Sequence, residues 1–128
     1  MDIRYSCNQR DFKRYTTEEI RQEFLMENLY VPDEVVSVYS HVDRMITLGC
    51  MPVREAVPLE KGLDVYAALG VDFFLERREL GLFNLGGSGV VSVDGVRYPL
   101  GMLHEDYYVL PDLIAHCSAV YSMAFTGY

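Results

Sequence analysis

The stretch Val71–Leu100, VDFFLERRELGLFNLGGSGVVSVDGVRYPL, decides how this chain is read. Near its end, Val91-Ser92-Val93 and Val96-Arg97-Tyr98 flank Asp94-Gly95. An Asp-Gly pair between alternating apolar residues predicts a two-residue hairpin loop, because a type I′ turn needs positive φ at both central positions. That loop sets Val93 opposite Val96, Ser92 opposite Arg97 and Val91 opposite Tyr98. Side chains alternate along a strand, so Val91, Val93, Val96 and Tyr98 should share a core face, and Ser92 and Arg97 a watery one.

Working back from the hairpin, Gly86-Gly87-Ser88-Gly89 predicts a sharp bend, and Leu80 to Leu85 an apolar strand before it. Glu76-Arg77-Arg78-Glu79 predicts a charged turn after the apolar Phe73–Leu75. Turn, strand, glycine bend, strand, Asp-Gly turn, strand is the order of a small antiparallel barrel. The fold class predicted is mainly β, an antiparallel β-barrel with a short N-terminal helix. This pattern resembles the cupin jelly roll, in which a Glu precedes a strand ending in glycine and a Val-x-Val-Asp-Gly hairpin follows. Glu79 and Gly86 have that spacing. Metal-binding cupins carry His-x-His just before the Glu, where this chain has Phe73 and Leu75, or Asp72 and Phe74 with one more residue of spacing. In the second cupin motif Pro111 and His116 match, but Leu113 replaces the glycine. One Glu and one His are too few for a catalytic zinc or iron, which usually takes three protein ligands. No metal site is therefore expected in this chain.

The 128 residues suit one domain, and half of them are hydrophobic, enough for a core. Nineteen acidic against 11 basic residues give a net charge of −8. That opposes a nucleic-acid or anionic-membrane surface, which needs a basic patch, but leaves room for a small anion held by one or two arginines. Cys7, Cys50 and Cys117 are far apart and odd in number, which reads as reduced thiols in a cytoplasmic protein. The opening Met1-Asp2-Ile3-Arg4 has no signal-peptide character, and no apolar run approaches the roughly 18 residues of a membrane span.

Residues 1–34 read as an N-terminal arm and a short helix, and 35–128 as the barrel, with its last strands in question after 101. Thr16 with Glu19 makes a capping box. Ile20, Phe24 and Leu25 give the helix an apolar side expected to pack on the barrel or a partner, and Val31-Pro32-Asp33 is expected to stop it. Val35–Ser40 and Met45–Cys50 read as strands around the polar His41-Val42-Asp43-Arg44. Leu63, Tyr66 and Ala67 have helical spacing bounded by Gly62 and Gly70. Asp106–Pro111 resembles the cupin strand that follows the hairpin. The tail to Tyr128 is apolar and suggests an interrupted domain.

Several segments in order resemble one family: Met1-Asp2-Ile3-Arg4, Arg21-Gln22-Glu23-Phe24-Leu25, Val38-Tyr39-Ser40-His41-Val42-Asp43-Arg44, Met51-Pro52-Val53, Phe74-Leu75-Glu76-Arg77-Arg78-Glu79-Leu80-Gly81, Gly86-Gly87 and Val93-Asp94-Gly95. The chain resembles the N-terminal half of the 5-dehydro-4-deoxy-D-glucuronate isomerases, ketol-isomerases of pectin and uronate catabolism. The resemblance implies a double cupin whose subunits form hexamers. It also implies a zinc held by three histidines and a glutamate in the second barrel, beyond residue 128, so no family ligand carries over to this sequence. The implied reaction interconverts 5-dehydro-4-deoxy-D-glucuronate and 3-deoxy-D-glycero-2,5-hexodiulosonate by moving a proton between adjacent carbons, with zinc as Lewis acid. After Gly101 the sequence departs from the family, as a truncated or frameshifted gene or a natural short paralogue would.

Four residues are candidates for holding the substrate carboxylate. Arg77 and Arg78 could grip it bidentately, against the alternative of a solvated turn. His41 and Arg44 lie at a strand end, where His41 could move a proton or simply serve structure or an interface. No catalytic residue is assigned. Two classes follow. One is the non-metal half of a uronate ketol-isomerase, inactive alone; the other is a metal-free cupin module that scaffolds oligomers or binds a sugar acid. Both expect a small anionic sugar as partner and a homo-oligomer.

Overall fold

A computed structural model describes residues 1–101 and the backbone of Tyr107–Leu110. The elements in order are β1 (Asp2–Arg4), α1 (Gln9–Phe12), α2 (Thr17–Phe24), β2 (Val35–Ser40), β3 (Met45–Cys50), α3 (Val65–Leu69), β4 (Leu80–Phe83), β5 (Gly89–Val93), β6 (Val96–Leu100) and β7 (Tyr107–Leu110). The chain is mainly β, as its patterning predicts.

The β5–β6 hairpin has the predicted register, with Val93 opposite Val96, Ser92 opposite Arg97 and Val91 opposite Tyr98. Asp94 and Gly95 both have positive φ, 48° and 79°, as a type I′ turn requires. The two faces differ from expectation. Val91 and Val93 are almost wholly buried, but Val96 is 54% exposed and Ser92 is buried. Val96 is the first residue after the turn, at the hairpin tip, and β6 has β5 as its hydrogen-bonded neighbour among the described strands. Pro99, which has no N–H to donate, is tolerated in β6, an edge strand among the described residues.

A Cβ on Gly95 would meet nothing within 4 Å, so a substitution there tests backbone conformation alone. Gly95→Val should cost on the order of 1–3 kcal/mol, the usual strain of a branched residue at positive φ. Gly95→Asn should cost much less, since Asn tolerates that region. Urea melts of the two variants check this; equal midpoints would mean the turn is not left-handed.

The described strands do not close into one antiparallel barrel. They form three sheets, β1-β2-β3, β4-β7 and β5-β6. The break between β4 and β5 falls at the glycine bend, where a side chain replaces a strand ladder. Asn84, 1% exposed, donates through Nδ2 to the Gly87 carbonyl at 2.7 Å and to the Gly101 carbonyl at 2.6 Å, and its Oδ1 accepts from Gly86 N–H at 3.1 Å. This ties the end of β4 to the bend and to the end of β6 without making one sheet. The sheets meet instead through side chains: Leu59, Phe74, Leu75, Leu80, Val91, Val93 and Leu100 form the core, with Ile46, Leu48 and Tyr98 packed against it. Burying each such aliphatic side chain contributes roughly 1.5–3 kcal/mol.

The N-terminal arm is more ordered than the sequence suggests. β1 pairs parallel to β2, Asp2 with Val38, Ile3 with Tyr39 and Arg4 with Ser40, so this sheet is mixed. β2 and β3 pair antiparallel across the His41–Arg44 turn, as expected. The capping box is present: Glu19 N–H donates to Thr16 Oγ1 and Thr16 N–H to the Glu19 carboxylate. Those bonds from Thr16 hold the Glu19 carboxyl below its ordinary range. The helix ends at Phe24, well before Pro32, because Leu25 turns extended and its carbonyl accepts from Arg4 Nη1 at 2.8 Å. Nor does its apolar side pack on the sheets: Ile20, Phe24 and Leu25 are exposed, and Phe24 meets Phe12 edge-on. α3 is capped by Asp64 and closed by Gly70 at φ 66°, the glycine limit read from the sequence. β7 pairs with β4, which accords with the strand read at Asp106–Pro111. His104, Cys117, His116 and the tail from Pro111 lie outside the described residues.

Candidate functional site

Tyr39 and His41 are two apart at the end of β2, so they share a face, and β1 runs beside them. His41 N–H donates to the Arg4 carbonyl at 2.9 Å, which extends the β1 pairing by one residue. The imidazole is held by rings: Tyr5 stacks on it at 4.9 Å and 11°, and Tyr39 meets it edge-on at 4.8 Å and 79°. The turn that follows is fixed by Asp43, whose carboxylate accepts from Met45 N–H at 3.2 Å. The Ser40 hydroxyl and then that N–H keep the Asp43 carboxyl below its ordinary range.

Facing this edge are the last turn of α3 and the loop that carries Arg78. Met1, Ile3, Tyr39, His41, Ala68, Leu69 and Arg78 line a cavity of about 250 Å³. Two of the four predicted site residues, His41 and Arg78, are therefore brought together. The other two are not. Arg77 points to solvent, 74% exposed, with Glu76 at 3.7 Å, and Arg44 is an exposed turn residue with φ 59°. The paired grip by Arg77 and Arg78 is thus not formed, because the turn at Phe74–Arg77 sends consecutive side chains in different directions. The sequence reading passed over Tyr5 and Tyr39, though the period-two spacing of Tyr39 and His41 was available to it.

A larger cavity of about 420 Å³ lies between α2, the loop after it and the β1–β2 sheet. Its arginines are engaged, Arg4 with Asp2 at 3.0 Å and Arg21 with Glu27. Across the chain, Asp33 is buried and fully bonded: it accepts from Val53 N–H and Arg54 N–H, both at 2.8 Å, and from Arg54 Nε at 2.5 Å. Cys50 is half-buried, and burial pushes its thiol up to about 11, which makes it a poor nucleophile.

Phe74 and Leu75, in the segment where a cupin would place its ligands, are core residues at 3% exposure, and no group of three or more His, Cys, Asp or Glu converges among the described residues. Among them, too, no helix is long and apolar enough to cross a membrane.

No family model matches the chain. Its curated relatives are sugar-acid isomerases by name. Over 98 residues, 77% of the chain, it is 49% identical to the 4-deoxy-L-threo-5-hexosulose-uronate ketol-isomerase of Lachnospira eligens. Over 106 residues, 83% of the chain, it is 48% identical to the enzyme of that name from Dickeya dadantii and 47% to that of Escherichia coli O139:H28. The match takes in 34% of the first relative and 37% of the other two, so the chain spans little more than a third of their length. Within that span it is homologous to the uronate ketol-isomerases, the resemblance read from the motifs.

Proposed function

We propose that this chain is the non-metal, N-terminal cupin part of a uronate ketol-isomerase, cytoplasmic and assembled with other copies of itself. The observation that carries the reading is identity near one half over four-fifths of the chain to relatives bearing that name. The reaction would interconvert 5-dehydro-4-deoxy-D-glucuronate and 3-deoxy-D-glycero-2,5-hexodiulosonate. The described residues hold no metal ligand set, so we assign the bond-changing chemistry to the part of the relatives that this chain does not span. Its own contribution is a folded support and surfaces for assembly. The jelly roll would be reached when the three sheets are joined by neighbouring strands.

A chimera tests this. Residues 1–101 replace the matching stretch of the Dickeya dadantii relative, and the product is assayed on 5-dehydro-4-deoxy-D-glucuronate. We expect turnover within roughly tenfold of the parent, a loss of about 1.4 kcal/mol or less in barrier terms. The 128-residue chain alone should show no turnover and retain no stoichiometric zinc after dialysis. A folded but inactive chimera would sink the reading and favour a metal-free scaffolding or sugar-acid-binding module. About one tightly held zinc per chain would place a ligand set within this sequence after all.

A further inference from the structure

We propose that the cavity between Met1, Ile3, Tyr39, His41, Leu69 and Arg78 binds the carboxylate of a small sugar acid, anchored by Arg78. It rests on the uronate reading for the class of sugar but not on turnover by this chain.

The first observation is a partner that is missing. Among the described residues Arg4 is paired with Asp2, Arg21 with Glu27, Arg54 with Asp33, and Arg77 with Glu76. The exposed Arg10, Arg14 and Arg44 also lack an ion pair, and Arg78 has no carboxylate partner among the described residues. It is also partly buried, unlike Arg77. A guanidinium withdrawn from water without a counter-charge is costly, and an incoming anion removes that cost. The second observation is where Arg78 stands. It lines the same open cavity as the His41 imidazole, which is held by Tyr5 and Tyr39 and so is oriented before any ligand arrives. The third is the rest of the lining, where Met1, Ile3 and Leu69 are apolar. A guanidinium, an imidazole and apolar side chains suit a molecule with a charged end and a body that can lie against carbon.

A planar guanidinium fork matches a planar carboxylate through two parallel hydrogen bonds. The space of about 250 Å³ is large enough for one monosaccharide-sized acid.

Calorimetric titration of the 128-residue chain with D-galacturonate, D-galactose and inorganic phosphate tests the proposal. Galacturonate should bind, with galactose at least about tenfold weaker, the loss expected when a charge-assisted pair is not formed. Arg78→Met, which keeps the apolar stem, should weaken galacturonate by about tenfold or more, and Arg77→Met should leave it unchanged. Arg78→Lys keeps the charge and loses the fork, so it should fall between. Melting curves confirm that each variant is folded. If Arg78→Met unfolds, the lysine variant decides: affinity equal to the parent's overturns the bidentate site. Equal binding of galactose, or tighter binding of phosphate, overturns the carboxylate assignment. A chimera that turns over substrate while the cavity binds no galacturonate would leave the isomerase reading standing and remove this one.

Discussion

Gly49→Ala should destabilise the chain by on the order of 1–3 kcal/mol, the usual result of forcing an extra carbon into a packed site. Gly49 is buried in β3 opposite Val36. The segment after α2 crosses directly over it. A Cβ there would stand 1.9 Å from the Leu29 carbonyl oxygen and 2.7 Å from its carbonyl carbon. These are backbone atoms, so no rotamer change relieves the clash, and the covering segment has to lift away from the sheet. The larger cavity, lined by Leu29 and Val36, would change shape with it. Gly81→Ala in β4 is the control, since a Cβ there meets nothing within 4 Å. It should be neutral or slightly stabilising, because alanine has less backbone entropy to lose than glycine. Chemical denaturation separates the two, and equal midpoints would rule out the close approach at Gly49.

The second large effect is at Asp33, where three segments are tied together. Its carboxylate takes two backbone N–H groups and the Arg54 side chain, its own N–H donates to the Met51 carbonyl at 2.7 Å, and its carbonyl accepts from Lys61 Nζ at 2.6 Å. The backbone N–H of Arg54, then its side chain, then the N–H of Val53 hold the carboxyl well below the usual carboxylate range. A carboxyl lowered in the folded state stabilises it fully above the unfolded value, about 3.9, and loses that contribution as pH falls toward the folded value. Asp33→Asn should therefore melt several degrees below the parent at pH 7, and the gap should narrow as pH drops below about 4. Asparagine is chosen because Asp33 sits at φ 58°, a conformation Asn accepts, so the loss reports the charge and its bonds. Melting temperatures of both proteins from pH 7 to pH 2.5 provide the check. A gap that stays constant in acid would mean that the ionised carboxylate contributes nothing.

What could be read from the sequence was local. Asp94-Gly95 set a register because a two-residue loop leaves no other, and Thr16 with Glu19 set a helix start because the two side chains satisfy each other's backbone partners. What escaped depended on residues far apart in the chain. The end of α2 is decided by Arg4, twenty-one residues before the Leu25 carbonyl it holds, so Pro32 misled. Barrel closure was inferred from the order of turns, but Asn84 spans the glycine bend with its side chain where a ladder was expected. Val96 is exposed because it stands at the hairpin tip, and Ser92 is buried because both faces of β5 are covered, Val91, Ser92 and Val93 alike. The candidate site follows the same rule. His41 and Arg78 were each picked out by residue type, but only the pairing of β1 with β2 and the placing of α3 put them around one space, and neither leaves a periodic signal.

The parallel docking of Asp2–Arg4 on Val38–Ser40 bears on how the molecule is born. The ribosome releases these three residues well before the strand they join exists. Until then they have no edge to rest on. The helix between them can form in the meantime from its own cap, but Arg4 can secure its end only in step with the β1 pairing. Anything fused ahead of Met1 would emerge at the rim of the small cavity, so an affinity tag there would stand at its entrance.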